Sequence, residues 1–229
     1  MIRTKGRRRL ACYHEAGHAL ARWWMGFHTD NVVVLTVEQV RAGVTVLDRR
    51  DREHIVEGMV NGYDIHMPLA REMVAGAHDA DRAWLSRQVE VRTDMALMEL
   101  YAGPFAEVRF RKCAALACFM FGGDQDMAQA REIAAAWFDD EVDRRAAHFR
   151  ADRRAAALVR SRKGWMAISA LASAVFRKGE IDGDEVDALC AGVYGGEFRY
   201  GVWDKAWPPT LEQIRDGHIP EPAQQEQAA

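Results

Sequence analysis

The chain is poor in cysteine, and the four it has are not paired in sequence. Cys12, Cys113, Cys118 and Cys190 form no CxxC, which excludes a zinc ribbon, a thioredoxin-like redox motif and a dense disulfide framework. They read as reduced, mostly buried thiols. No GxxxxGK[ST] segment occurs, so no P-loop cradles a nucleotide. No apolar run approaches the ~20 residues of a membrane span. The longest, WMAISALASAVF (Trp165 to Phe176), reads as a buried helix. The basic start RTKGRRR is followed by no apolar stretch of the kind a secretory leader carries, and the expectation is a cytoplasmic protein without a membrane span. Neither sign of charge dominates: 31 basic residues face 34 acidic ones, which argues against a nucleic-acid binder and against an acidic disordered chain. No segment repeats at a fixed period.

What is present is helical periodicity over most of the length. Leu10, Tyr13, Ala16, Leu20 and Trp24 recur at helical spacing and predict a helix from about Arg7 to a stop at Gly26. NVVVLTV (31–37) and GVTVLD (43–48) are β-branched runs, and the short EQVRA between them predicts an antiparallel connection. Residues 49–85 are charged and irregular, and predict short helices or a mobile excursion. Beyond Arg87 the pattern predicts helices near 87–102, 104–118, 125–139, 142–160, 163–178 and 183–191, broken at Gly103-Pro104, Gly122-Gly123, Gly164 and Gly179 to Gly183. EIDGDEVDAL reads as a turn into a capped last helix. The expected class is α+β, predominantly α-helical, with a small β-sheet near the N-terminus. Residues 1–194 form the domain, and 195–229 form a C-terminal arm, partly disordered. Trp203 and Trp207 in that arm are candidate anchors. The basic stretch Asp143 to Lys163 reads as a solvated helix face rather than a nucleic-acid patch.

Within the first helix stands CYHEAGHALARWW (12–24). His14 and His18 are four residues apart, so on a helix their imidazoles share one face and can meet one metal ion. Glu15 follows the first histidine, from where its carboxylate reaches water at that ion as a general base. The filler, Ala16-Gly17, is small enough for another element to approach closely. Cys12 points to another face and is no ligand. Two histidines require a third protein ligand, leaving the fourth position for water. Spacing leaves Glu107, Asp124, Asp126, Glu132, His54, His66 and His78 open.

RLACYHEAGHAL resembles the start of the peptidase domain of FtsH-type, membrane-anchored AAA+ zinc proteases. VVVLTVEQVRAGVTVL resembles that family's strand pair. MELYAGPFAEVRF (98–110) is similar to its "AGraAE" helix, keeping Ala102, Gly103, Ala106 and Glu107. FGGDQDMAQAREIA (121–134) resembles its "nDl.qAt.iA" segment, and residues 157–186 look like its closing helices. The resemblance runs from Arg7 to about Cys190, with 49–88 as an insertion of uncertain structure. It implies a zinc metalloendopeptidase with His14, His18 and Asp126 as zinc ligands and Glu15 as the base. Glu107 becomes a candidate for supporting a ligand imidazole, and the strand Gly43, Val44, Thr45, Val46 becomes the edge along which an extended substrate lies. The departures are the missing ATPase, Gln125 where the family has Asn, and Pro104-Phe105 within AGPFAE. With the motif close to Met1, the expectation is a stand-alone peptidase domain. It would hydrolyse unfolded or flexible polypeptides without ATP, work beside a separate ATPase partner or as a homo-oligomer, and bind no nucleic acid. The alternative is a non-catalytic, zinc-containing regulatory or interaction protein with the same fold.

Overall fold

A computed structural model describes residues 2–48, 50–62, 67–113, 123–196 and 208–219. His66, Cys118, Trp203 and Trp207 lie outside the described residues.

The first helix, α1 (Ile2–Trp24), is the axis of the fold. From Glu15 to Phe27 every residue is buried, so this helix is covered on all sides rather than along one stripe. Its Ala and Gly content permits that, because small side chains let several elements approach one helix. It ends where expected: Gly26 takes φ 76, a left-handed conformation that costs glycine nothing.

Strand β1 (Thr29–Val34) follows, with Val32 and Val34 turned into the core. Residues 38–42, expected as a simple connection, lie largely in a short helix, α2 (Val37–Arg41), which also takes Val37 from the expected strand. Thr36 accepts from the Gln39 amide while the Gln39 side chain accepts from the Thr36 amide, a capping box that the T-x-x-Q spacing announces. The expected pairing of 31–37 with 43–48 is therefore not formed. β2 (Val46–Leu47) instead pairs with β3 (Glu53–His54) as a separate two-stranded ribbon. Of the expected edge strand, Gly43, Val44 and Thr45 lie outside any strand, and Val46 belongs to the ribbon. The neighbour of β1 comes from the stretch expected to be an insertion: β4 (Gly58–Gly62) pairs antiparallel with it, Val32 opposite Val60. The third strand, β5 (Glu180–Asp182), flanks β1 on its other side, Val32 opposite Ile181. The sheet order is β4-β1-β5.

After α3 (Met67–Gly76), one helix of 33 residues, α4 (Asp79–Arg111), replaces the two expected on either side of Gly103-Pro104. Pro104 sits inside it, and the chain passes through because Ala102, Gly103, Pro104, Phe105, Ala106 and Glu107 are all buried. Packing outweighs the ~3 kcal/mol that an interior proline costs. Helix α4 stops at Lys112, which takes a left-handed φ of 55.

Helices α5 (Asp124–Trp137), α6 (Glu141–Arg160), α7 (Arg162–Lys178) and α8 (Gly183–Tyr194) follow close to the expected bounds. α4 and α7 carry the main packing on α1. Tyr13 joins the three, stacking on Phe110 at 4.1 Å and Trp165 at 5.3 Å. In the basic stretch, Arg150 and Arg154 turn inward to the buried Asp94 carboxylate.

Within the C-terminal arm, α9 (Leu211–Arg215) is docked: Ile214 is fully buried and the Trp24 indole donates to the His218 carbonyl at 2.8 Å. Among the described residues no helix is long and apolar enough to cross a membrane. The class is α+β, predominantly helical, with a small antiparallel sheet.

Candidate metal centre

Three elements build the site. α1 supplies His14, Glu15 and His18, α4 crosses behind them, and α5 brings in Asp126 from its first turn. The crossing is close because nothing larger fits. A Cβ on Gly17 would stand 2.6 Å from the Ala102 carbonyl oxygen, and one on Gly103 would stand 2.2 Å from His18 Nε2. Gly123, the N-cap of α5, lies against Pro104, where a Cβ would be 2.5 Å from the ring. Pro104 is thus the surface on which the start of α5 rests.

The three side chains converge. His14 Nε2 and His18 Nε2 are 3.0 Å apart. Asp126 Oδ2 is 3.1 Å from His14 Nε2, and Asp126 Oδ1 is 3.5 Å from His18 Nε2. Ligands about 2.05 Å from a tetrahedral ion stand about 3.3 Å from one another, and these separations bracket that value. Among the described residues this is the group of His, Cys, Asp and Glu that could hold a metal ion.

The other imidazole nitrogens are held from behind. His18 Nδ1 lies 2.9 Å from the Glu99 carbonyl oxygen, and His14 Nδ1 lies 3.5 Å from Glu107 Oε2. Proton donation from each Nδ1 to those oxygens leaves both Nε2 lone pairs aimed at the common point. Glu107 is itself anchored by Arg111 at 3.0 Å. The Glu99 side chain is held by the buried Arg22, whose Nη1 donates to Oε1 at 3.0 Å. Arg22 also donates to the His28 carbonyl at 2.8 Å.

The electrostatics favour a cation at the centre. Burial lowers the pKa of His14, but hydrogen bonds to Asp126 and Glu107 outweigh it and push it up to about 10. The site therefore draws positive charge even as a bare proton. Burial raises the pKa of Asp126, yet the neighbouring His18 and His14 bring it below the usual carboxylate range. Burial raises that of Glu15, against the opposing pull of the two histidines. A set of two imidazoles and one ionised carboxylate, His18 buried and His14 and Asp126 partly so, is the donor chemistry that suits zinc.

Glu15, buried and next to His14 in the chain, faces β4. A Cβ on Gly58 would sit 2.8 Å from Glu15 Cγ, so glycine there leaves the carboxylate its room. The remaining ligand candidates lie elsewhere. Asp124 and Glu132 are exposed on α5, His54 pairs with Asp48 at 3.0 Å in the ribbon, and His78 is exposed at the start of α4. Sequence reasoning missed Arg22, Glu99 and Gly58. Arg22 carried a signal: an arginine four residues past His18, on the same helix face, has to be buried wherever that face is.

No protein-family model matches the chain, and no curated protein matches it by sequence.

Proposed function

We propose that the chain is a zinc-dependent metalloendopeptidase that hydrolyses peptide bonds of unfolded or flexible polypeptides. The observation that carries this reading is the convergence of His14 Nε2, His18 Nε2 and the Asp126 carboxylate at 3.0–3.5 Å, with the buried Glu15 beside them. His14, His18 and Asp126 would hold the zinc, which supplies Lewis acidity towards a carbonyl and towards water. Glu15 takes the proton of the attacking water and returns it to the leaving amine. Burial raises its pKa, which makes it a stronger base than an exposed carboxylate. Glu107 and the Glu99 carbonyl keep the imidazoles oriented while charge develops in front of them.

The test pairs metal content with turnover. Wild-type protein should hold about one zinc per chain and cleave casein. Asp126→Ala should lose the zinc, and Glu15→Gln should keep it and lose cleavage. Casein cleavage unchanged by Glu15→Gln would refute the enzyme. Zinc bound without cleavage of any polypeptide would favour the non-catalytic alternative.

A further inference from the structure

Successive residues on a helix turn by about 100°, which places Arg7, Arg8, Ala11, His14, Glu15 and His18 on one face of α1. The first three line a cleft of about 160 Å³, closed by Leu35, Val37, Val40, Arg41 and Glu57. Its walls are of two kinds. Ala11, Leu35, Val37 and Val40 make an apolar floor, and three arginines with one glutamate make the rim. The glutamate is already used, since Glu57 Oε1 pairs with Arg7. Arg8 stacks 5.1 Å from the centre of the Phe176 ring, and its Nε is buried with no hydrogen-bond partner among the described residues. Arg41 is exposed in the last turn of α2. The rim thus carries an excess of two positive charges above an apolar floor.

The cleft adjoins the metal centre by two routes. Ala11 lies one turn, about 6 Å, before Glu15 on α1. Glu57 immediately precedes Gly58, which abuts Glu15. An extended peptide advances about 3.3 Å per residue, so the cleft stands about two residues from a bond held at the histidines.

We propose that this cleft is a specificity subsite that takes an apolar side chain flanked by a carboxylate. It rests on the peptidase reading, and it selects polypeptides in which a leucine-like residue stands beside an acidic one about two positions from the cleaved bond. The apolar side chain fills the floor, and the carboxylate meets Arg41 and Arg8. The carboxylate comes from an internal Asp or Glu, or from the C-terminus of a short peptide.

The test is binding of fluorescently labelled peptides to the Glu15→Gln protein, which separates recognition from turnover. An internal Leu-Asp peptide should bind about tenfold tighter than its Leu-Asn twin at low salt, as charge-assisted hydrogen bonds are stronger than neutral ones. The Ser-Asp twin should also bind more weakly. Arg41→Gln, an exposed replacement that leaves the core untouched, should shrink the Asp–Asn difference to below about twofold. Peptides ending in leucine as free acid or as amide identify the terminal source: discrimination there alone assigns the site to C-termini. Equal affinity of the acidic peptides and all their neutral twins overturns the subsite. Casein cleavage without any acidic preference would sink the subsite and leave the peptidase standing. Selective binding without cleavage by wild-type protein would do the reverse.

Discussion

Gly103→Ala sets two physical rules against each other at one atom. Alanine is favoured over glycine inside a helix by about 1 kcal/mol, so propensity alone predicts a more stable α4. The structure predicts otherwise, because the new Cβ would stand 2.2 Å from His18 Nε2. Relief to ordinary contact requires a displacement of about 1 Å. The atom displaced is the one that faces the proposed metal position, and a retreat of α4 would instead open the close, buried crossing of Ala102 on Gly17. A misplaced ligand of this kind costs metal affinity of the order of 10- to 100-fold. A hundredfold loss removes about 2.7 kcal/mol of zinc-linked stabilisation. For a chain of this size that corresponds to a zinc-induced rise in Tm smaller by roughly 5–10 °C. The assay is calorimetry with and without saturating zinc, together with zinc competition against a chelator of known affinity. The metal-free variant should melt near the wild type, where propensity and overpacking offset each other. A variant that binds zinc as tightly as wild type and melts higher would refute the packing argument, because propensity would then have acted alone.

Gly58→Ala presses on Glu15 instead of a ligand, so it should lower casein cleavage by roughly 100-fold while leaving zinc content intact; loss of zinc would show that β4 supports the ligands themselves. Arg22→Met removes a guanidinium that is 1% exposed and its charge-assisted bond to Glu99, which should cost about 3–5 kcal/mol in urea unfolding. A cost below about 1 kcal/mol would mean that this bond contributes little to holding the crossing of α1 and α4. Asp187 tests the sign of a pH effect. Burial raises its pKa to about 6, above the unfolded value near 3.8, so the fold binds this proton more tightly than the unfolded chain does. Its ionised form opposes folding above pH 6, and that penalty fades as pH falls from about 6 towards 3.8. Asp187→Asn should therefore raise Tm at pH 7.5 and lose the advantage at pH 4. The same gain at both values would show that charge is not the cause.

The sequence by itself determined what lies within one element. Four residues make about one helical turn, so HEAGH placed His14 and His18 on one face before any fold was known, with Glu15 beside them. Periodicity also located α1 and α5 to α8 within a few residues, since each is long enough to repeat its pattern. The T-x-x-Q box of α2 was equally local and could have been read, but its apolar content matched a strand as well as a turn. Strand partners were another matter. Two β-branched runs adjacent in sequence favour a hairpin by short loop closure, yet β1 pairs with β4 and β5, from residues 58–62 and 180–182. Strands of three to five residues are too short to show an alternation that would mark them. Pro104 misled for a related reason: its local penalty is legible in sequence, while the burial that outweighs it is not. The same division runs through the site. Asp126 is 112 positions from His14, and Asp124, two residues away, has the same chemistry. Only the crossing of α1 and α4, made close by Gly17 and Gly103, and the seating of Gly123 on Pro104 place one of those carboxylates 3.1 Å from an imidazole and leave the other in solvent. Residue type and spacing act through bonds and so can be read along the chain. Which distant carboxylate completes the centre is set by steric fit between helices, and that exists only once they are packed.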